Sequence, residues 1–599
     1  MLPYHYEPLR QADSFRTLLL HPGEQDDPIT CSLALEDIKT AASYEAISYA
    51  WGNSNNQRQI TCDRRSIYIT ASLWTALQRQ RLPDKARRLW ADAICINQQD
   101  EKERGHQVTI MGRIFKSARR VLVWLGPDID GEAEDNFALL REVCDVVTNS
   151  LEKYGSYSAI PDVPPEDLYQ YDELRWTSLA RMFDLPWFSR LWIIQEVGLA
   201  RYALMFYGNA EIEWSAVYRA AKDISQRMTA IGRSFNVRVY HVVDIVDVFS
   251  FKEGETQIPY CEDFVDVLYT ACGSLASDPR DYIYAFLAHP TAKSEAGTIV
   301  PADYTLSTQQ LYELLAIRHI EQRQDLHILS FIQHAADTIQ DGTPSWPPRW
   351  YLGRPVTVFV TDLGRVWYDA AAGSKFWFAA SAGHGVLHLR GLVFDAISFC
   401  SETLHKAALS LLGPMSSQIT GANVLRKLST QFIDTTPPLV YPQADRLKAF
   451  VLTLSAGRGW FINDVENDGL ATHLADFAAY QNRAYDIARS VSSPSEENSQ
   501  PRRDAGDGDW YRYARRAFGV CDRRRLFISK RGYLGLGPRV LQEGDLCCIL
   551  YGATMPFILR RRDDHYILLG QSYIHGIMRG EAMEMLRNGE LQEQTFEIH

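Results

Sequence analysis

The segment from Arg88 to Gly126 constrains the fold more than any other part of the chain. It reads RLWADAICINQQDEKERGHQVTIMGRIFKSARRVLVWLG. Its two apolar runs, Leu89–Ile96 and Val121–Leu125, have the length of strands that are buried on both faces. Between them, apolar residues at helical spacing follow a residue pair with capping-box spacing, which predicts an amphipathic helix over Asp100–Ala118. Such a short strand–helix–strand unit requires a right-handed crossover, so we predict that the two runs are neighbouring parallel strands.

Asp92 interrupts the first apolar run with a carboxylate. Burying a carboxylate is costly unless it is hydrogen-bonded or ion-paired, so Asp92 is either a structural residue that holds a nearby loop or a site residue. We predict that it is buried and bonded to the Tyr49–Asn53 loop or to the Arg181–Arg190 segment. Cys95 is interpreted as a core residue rather than a nucleophile, because free cysteine is among the most buried residue types.

Composition limits the class of protein. The chain has 599 residues, of which 46% are hydrophobic and 23% are charged, and this balance is typical of a globular protein with two or three domains. A net charge of -12 argues against a general nucleic-acid binder. The sequence has no apolar run of spanning length and no secretory signal, so we expect a cytoplasmic protein without a membrane span. The cysteine spacing supports neither a metal site nor a disulfide framework, and there is no P-loop.

The predicted elements divide the chain into six regions. Alternating β and α elements predict an α/β domain, and short, evenly spaced strands with glycine turns near the C-terminus predict a small barrel or sandwich. The predicted regions are a β-rich lead-in packed on the next domain (1–43), the α/β domain (44–210), a mainly helical region (211–345), a mixed α/β region (346–490), a disordered loop (491–509) and a β-rich domain (510–599). Within the last region, the glycine-rich stretch Gly532–Pro538 is interpreted as a tight turn rather than a phosphate loop.

Polar residues gather at the predicted carboxyl ends of strands in the α/β domain and on its last predicted helix, Phe188–Ala200. Ligands bind at that edge of an open α/β sheet, where tryptophans can form stacking walls and a carboxylate can be the reactive group. On that helix Glu196 lies one turn from Trp192, and we consider it the candidate for the reactive carboxylate. The alternative is that Glu196 only forms an ion pair with Arg190 or Arg201 at the domain surface. The candidate residues are Tyr49, Trp51, Gly52, Asp92, Asn97, Gln98, Glu103, Arg104, Arg190, Trp192, Gln195 and Glu196.

Three motifs in this domain resemble those of the fungal heterokaryon-incompatibility (HET) domain. They are YEAISYAWG at Tyr44–Gly52, WADAICINQQDEKER at Trp90–Arg104 and RMFDLPWFSRLWIIQEVGLA at Arg181–Ala200. The later stretches SDPRDYIYAFLA at Ser277–Ala288 and PADY at Pro301–Tyr304 are similar to the region that often follows this domain. The order of the motifs matches that of the family.

The resemblance implies a fold like that of the Toll/interleukin-receptor (TIR) domain, a flavodoxin-like parallel βα sheet. In enzymatic TIR domains a glutamate on a late helix promotes cleavage of the nicotinamide–ribose bond of NAD, and SRLWIIQE at Ser189–Glu196 is similar in order to that helix. The resemblance implies that Glu196 is catalytic, with NAD as the expected substrate and no required cofactor. We add Asp92 as a second catalytic residue, because it is a carboxylate within an apolar run. The expected ligand-binding residues are Tyr49, Trp51, Gly52, Asn97, Gln98, Arg104, Arg190, Trp192 and Gln195. In this hypothesis Trp51 or Trp192 stacks on the rings, and the Asn97–Asp100 loop offers amides to phosphates.

Three functions remain open at this point. The first is a cell-death effector that degrades a nucleotide or signals by assembly. The second is a non-enzymatic interaction module whose polar set binds a protein partner or a second copy of the chain. The third is an accessory enzyme of fungal secondary metabolism that uses the same crevice for a small metabolite. For all three functions we expect neither a nucleic-acid partner nor a metal.

Overall fold

The computed structural model describes residues 1–9, 11–53, 55–156, 159–160, 171–249, 263–294, 297–353, 368–380, 385–405, 409–411, 415–433, 438–459, 464–467, 469–490 and 502–599. The chain forms two compact units, Met1–Thr308 and Gln309–His599. Residues 491–501 of the predicted disordered loop lie outside the described residues. The architecture is mixed α/β, with a sheet that contains parallel strands in the first unit, helices in the middle of the chain and a β-rich sheet near the C-terminus. No helix in the described part of the chain combines the length and the apolar character that crossing a bilayer requires.

The strands of the first unit form one large sheet and one small hairpin. In the large sheet the order is β5-β4-β2-β1-β6-β3-β7-β8-β9, while β10 and β11 pair only with each other. The strands are β1 (Ser14–Leu20), β2 (Thr30–Asp37), β3 (Glu45–Tyr49), β4 (Gln57–Cys62), β5 (Arg65–Thr70), β6 (Arg87–Trp90), β7 (Val121–Trp124), β8 (Ala203–Tyr207), β9 (Ala210–Glu213), β10 (Lys293–Ser294) and β11 (Gly297–Thr298).

The centre of the large sheet is parallel. Strand β3 pairs in parallel with β6 on one edge and with β7 on the other, and β7 pairs in parallel with β8. The two strands predicted to be neighbours, β6 and β7, are therefore parallel but separated by β3, so that part of the prediction is wrong. Hydrophobic periodicity reports which faces of a strand are buried, but it carries no information about which strand hydrogen-bonds to each edge.

Helices cover the sheet of the first unit and continue beyond it. They are α1 (Ala71–Gln80), α2 (Asp92–Cys95), α3 (Glu101–Ser117), α4 (Ala133–Tyr154), α5 (Glu173–Phe183), α6 (Ile193–Gly198), α7 (Trp214–Gln226), α8 (Thr229–Ser234), α9 (Tyr240–Phe249), α10 (Phe264–Ala271) and α11 (Asp281–Tyr284), with short 3-10 helices at Pro186–Ser189 and Pro290–Ala292. The predicted crossover helix is confirmed as α3. Asp100 caps it by accepting from the backbone N–H groups of Lys102 and Glu103.

The helix predicted over Phe188–Ala200 is shorter than expected. A 3-10 turn begins at Pro186, and α6 begins only at Ile193. The backbone between them bonds elsewhere, since Leu191 N–H donates to Leu275 O at 2.9 Å and Leu275 N–H donates to Ser189 O at 2.6 Å. This tertiary bridge takes hydrogen bonds that a continuous helix needs, so the helix is split.

The second unit is built on strands that close on themselves. Strand β13 is 14 residues long and pairs with β20, β16 and β14 along successive parts of its length. Because β16, β17, β18 and β20 also pair in turn, these strands form a closed ring with β13. The strands are β12 (Phe378–Ala380), β13 (Leu387–Cys400), β14 (Arg524–Ser529), β15 (Leu534–Pro538), β16 (Leu546–Leu550), β17 (Phe557–Arg561), β18 (Tyr566–Gln571), β19 (Tyr573–Ile574) and β20 (Glu593–Ile598).

The helices of the second unit are α12 (Thr308–Arg323), α13 (Met415–Phe432), α14 (Arg446–Ser455), α15 (Leu470–Arg489), α16 (Trp510–Cys521) and α17 (Glu581–Arg587), with 3-10 helices at His327–Phe331, Trp350–Leu352 and Gln443–Asp445. Four of them, α13 to α16, pack one apolar cluster against β14 and β15. The tight turn predicted at Gly532–Pro538 is correct only at its start. Gly532 has a positive φ of 88°, but β15 follows it, and Gly535 allows the buried Phe527 ring to approach the strand.

Candidate functional site

Glu196 lies in the first turn of α6 and is almost completely buried, with 4% of its surface exposed. Its carboxylate forms a bidentate pair with the Arg190 guanidinium, at 3.1 Å from Nη1 to Oε2 and 3.0 Å from Nη2 to Oε1. The Ser48 hydroxyl donates a further hydrogen bond to Oε2. The alternative interpretation of Glu196 as an ion-pair partner of Arg190 is correct in its partner, but the pair lies in the interior rather than at the surface.

A chain of hydrogen bonds fixes the orientation of the Ser48 hydroxyl. Ser48 belongs to β3, and Trp187 belongs to the 3-10 turn before α6; both are at most 1% exposed. The Trp187 indole N–H donates to Ser48 Oγ at 2.7 Å. Because that indole is only a donor, the serine must accept from it and direct its own hydrogen towards Glu196. The sheet and the α6 segment are thus connected by a Trp187–Ser48–Glu196 relay.

Asp92 lies beside this relay, at the end that is open to solvent. Its carboxylate accepts from the Tyr49 hydroxyl at 3.1 Å, from the Trp51 indole N–H at 2.9 Å and from the backbone N–H of Ala93 at 2.8 Å. The predicted bonds to the Tyr49–Asn53 loop are confirmed, but Asp92 is half-buried rather than buried. The reason is that β6 ends at Trp90, which places Asp92 at the start of α2, where Trp51 is 40% exposed.

These residues form one group, which we call the Glu196 cluster: Ser48, Tyr49, Trp51, Asp92, Trp187, Arg190 and Glu196. Burial raises the pKa of Glu196, and the pairing with Arg190 opposes that rise. Burial and the nearby Asp92 carboxylate raise the pKa of the Tyr49 hydroxyl, so this group stays protonated and donates. With one guanidinium and two carboxylates, the ionised cluster has a net negative charge and favours a cationic group in its vicinity.

In the loop between α2 and α3, the Asn97 backbone N–H and the Gln98 side chain form hydrogen bonds within the chain. Gln98 Nε2 donates to Asp92 O at 3.0 Å, and the backbone N–H of Asn97 donates to Glu103 Oε1 at 2.7 Å. Glu103 is in turn paired with the buried Arg16 at 2.6 Å. Because carboxylates of the chain already occupy the Asn97 amide and the α3 N-terminus, the structure gives no support for phosphate binding at these amides.

Gly52 follows β3 at the edge of the cluster, and its φ of +70° lies in the left-handed region. A Cβ added there would approach only Ser72, at 3.8 Å. The turn therefore requires glycine for its backbone conformation and not for close contact with a neighbour.

Three other candidates contact a second group of residues, in the segment that follows the domain. The Trp192 indole N–H donates to Asp281 Oδ2 at 3.2 Å, and the Tyr304 hydroxyl donates to Asp281 Oδ1 at 2.7 Å. The Arg104 guanidinium lies 3.9 Å from the centre of the Tyr304 ring, and Gln195 Nε2 donates to the backbone oxygen of Ala285. The polar groups of Arg104, Trp192 and Gln195 are thus bonded to residues 281–304 and not to the Glu196 carboxylate.

Sequence reasoning missed several residues that the structure brings to these two groups. Ser48 and Trp187 both lie inside motifs that carry the family resemblance, but neither was distinguished from its apolar neighbours. Asp281 and Tyr304 belong to the SDPRDYIYAFLA and PADY motifs, whose polar residues were the available signal. Cys95 is fully buried, and burial raises the pKa of its thiol to about 12, which agrees with its interpretation as a core residue.

Comparisons with known proteins match both units of the chain. The family model described as "Heterokaryon incompatibility protein (HET)" matches residues 44–196, and the "Het-6 beta-barrel domain" model matches residues 471–591. A curated relative, "Heterokaryon incompatibility protein 6, OR allele" of Neurospora crassa, is 24% identical over 95% of this chain and 94% of its own length. No solved structure matches the chain.

Proposed function

The chain is a heterokaryon incompatibility (HET) domain protein, and on that basis we propose that its Glu196 cluster cleaves the N-glycosidic bond of NAD or a related nucleotide during an incompatibility response. The observation that carries the proposal is the oriented Glu196 carboxylate with a second carboxylate, Asp92, in the same cluster.

The position of the cluster in the sheet supports this proposal. Ser48 and Tyr49 end β3, and Asp92 follows the end of β6, so the cluster is at the carboxyl edge of the parallel strands. Open α/β sheets bind ligands at this edge. The parallel strands are ordered β6-β3-β7-β8, which is second, first, third and fourth along the chain and begins the flavodoxin-like strand order. This order supports the TIR-like comparison on which the proposed chemistry rests.

The chemistry requires one carboxylate next to a developing cation. As the bond between ribose C1′ and the nicotinamide nitrogen breaks, its electron pair leaves with nicotinamide as a neutral group, and positive charge develops on the ribose. Glu196 stabilises that charge, and water then adds to C1′ and loses a proton. Asp92 is the half-exposed base that accepts this proton, and the exposed Trp51 indole provides a surface on which a ring stacks.

Arg190 has a defined part in this proposal. In the structure its guanidinium occupies the Glu196 carboxylate, so it fills the position that the cationic nicotinamide riboside needs. Substrate binding therefore displaces Arg190 from Glu196. A displaced guanidinium is a suitable partner for a phosphate oxygen of the same nucleotide, because it presents a planar fork of donors.

The test compares Glu196→Gln with a matched control in the same unit. Glu132 also accepts from an arginine and a serine, Arg181 and Ser178, but its side chain is 30% exposed. Purified full-length proteins are incubated with NAD, and released nicotinamide is quantified by chromatography. We expect wild type and Glu132→Gln to release nicotinamide, and Glu196→Gln to lose orders of magnitude in rate while it keeps a native circular dichroism spectrum. A wild-type rate in Glu196→Gln would refute the enzymatic proposal.

A second candidate function is a non-enzymatic interaction module. The observation that favours it is that Glu196 is buried and paired with Arg190, as expected for a group that only stabilises the fold. Here Glu196→Gln reduces the biological effect only as far as it reduces the fraction of folded protein. Cell death after expression in a fungal host distinguishes the two functions: a Glu196→Gln protein that is still folded at the assay temperature but inactive supports the enzyme, whereas cell death in proportion to the folded fraction supports the module.

A further inference from the structure

We propose that a cleft in the second unit, which we call the arginine cleft, binds the phosphate group of a small molecule. The cleft is small, with about 30 Å³ of space for water-sized groups, and its polar lining includes Arg523, Arg524, Arg539, His334 and Gln571. It is formed at the start of β14, the end of β15 and the end of β18. This site is separate from the Glu196 cluster, and its ligand does not depend on the function proposed for that cluster.

The charge of the lining selects an anion. Three arginines line the cleft and none of its lining residues is acidic, while Arg523 is also paired with Asp522 at 3.4 Å from Nε to Oδ2. His334 adds no charge, because burial lowers its pKa to about 4 and its two ring nitrogens bond to Thr338 and Ser345. Guanidinium groups match phosphate oxygens with paired, charge-assisted hydrogen bonds, so phosphate is the anion that this lining suits.

Arg539 is positioned before any ligand binds. Its Nε donates to the backbone oxygen of His334 at 3.0 Å, which holds a half-buried side chain in place. In the described part of the chain no acceptor bonds to the two terminal nitrogens of Arg539. A guanidinium that is anchored through Nε leaves its terminal fork for a ligand and loses less side-chain entropy on binding than a mobile one.

Gln571 is an independent indication of a ligand. It is 4% exposed and lines the cleft, yet none of the described donors reaches its amide oxygen. A buried polar atom without a partner is uncommon and requires an explanation. A phosphorylated molecule that carries a hydroxyl, or a protonated phosphate oxygen, supplies the missing donor.

The backbone also holds the two consecutive arginines in a defined conformation. Arg523 has a φ of +53°, which is uncommon for a residue other than glycine. The Arg523 N–H donates to Leu404 O, and the Leu404 N–H donates to Arg524 O, both at 2.7 Å. These bonds fix the conformation, which directs both residues to the cleft at the start of β14.

The size of the cleft limits what enters it. The space of about 30 Å³ is enough for roughly two water-sized groups, so the cleft takes the oxygens of one phosphate group and the rest of the ligand stays outside it. The same chemistry belongs to free phosphate, to free pyrophosphate and to the diphosphate of a nucleotide sugar. These sources are distinguished by their affinities.

The test measures binding to the full-length protein by isothermal titration calorimetry at constant ionic strength. The probes are inorganic phosphate, inorganic pyrophosphate and ADP-ribose, with sodium chloride as the reference for a general salt effect. The variants are Arg539→Gln, which removes the charge, and Arg539→Lys, which keeps the charge but removes the fork. Arg561→Gln is the control, because Arg561 is exposed in the same unit and does not line the cleft.

We expect saturable binding of at least one phosphate probe, an affinity about tenfold weaker or worse in Arg539→Gln, an intermediate loss in Arg539→Lys and no change in Arg561→Gln. If the binding that Arg539→Gln weakens is tighter for ADP-ribose than for pyrophosphate, the source is a nucleotide, and the reverse identifies the free anion; ADP-ribose bound at the Glu196 cluster would not be weakened by Arg539→Gln. The proposal is overturned if no probe saturates, or if folded Arg539→Lys binds as well as wild type. A loss of the same size in Arg561→Gln also overturns it.

Discussion

Replacing Arg190 by methionine tests whether Glu196 is held in the interior by an ion pair. The two side chains are only 16% and 6% exposed, so the change leaves a buried carboxylate without its cation. Breaking a buried pair in this way costs about 3–5 kcal/mol of unfolding free energy. The matched control is Arg181→Met, because Arg181 pairs with Glu132 but is 55% exposed, and a surface pair contributes about 0.2–1 kcal/mol.

Glu196→Gln should change the unfolding free energy in opposite directions, depending on whether Arg190 is present. In the wild-type background Glu196→Gln should reduce stability, because Arg190 loses its counter-charge. In the Arg190→Met background the same change should increase stability, because it removes the unpaired buried charge. Urea unfolding gives the free energies, and hydrogen–deuterium exchange of peptides covering residues 186–200 locates the loss. If Arg190→Met lowers the unfolding free energy no more than Arg181→Met, or if Glu196→Gln destabilises both backgrounds, the buried ion pair does not hold α6 in place.

Three further substitutions have defined outcomes. Ser48→Ala removes the acceptor of the Trp187 indole N–H and should cost about 1–3 kcal/mol in urea unfolding; a cost below about 0.5 kcal/mol would remove the relay from the account. Gly535→Ala places a Cβ 2.2 Å from the buried Phe527 ring and should cost about 1–3 kcal/mol, whereas an unchanged melting temperature would contradict the packing of β15. Burial lowers the pKa of His473 from 6.5 to about 4, so the folded state favours the neutral imidazole. The stability that this provides is present above pH 6.5 and is lost as the pH falls towards 4. Over that range the melting temperature of His473→Gln should fall less steeply than that of wild type.

The local elements follow from the sequence because their causes are local. The hairpin of β4 and β5 turns at Asp63 and Arg64, both with positive φ, in a polar stretch between two apolar runs, so its signal is local. Helix α3 has the predicted spacing and its Asp100 cap. The parallel direction of β6 and β7 also follows, since a helix between two strands requires a crossover.

What the sequence left undetermined depends on hydrogen bonds between distant residues. Periodicity could not reveal that β3 lies between β6 and β7, because backbone edges carry no side-chain pattern. It also could not separate the candidate residues into the Glu196 cluster and the group around Tyr304.

The sequence by itself thus determined elements with strong local signals such as α3, the residue types of the candidate site and the resemblance of three motifs to a family. Only the tertiary structure decided that Glu196 is buried against Ser48, which is 148 residues earlier in the chain, and that Arg190 neutralises it. The physical reason is that the state of a carboxylate is set by the groups that surround it in space. For Glu196 those groups are Ser48 in β3 and Arg190, which follows the 3-10 turn before α6, and local sequence patterns do not specify how these elements meet.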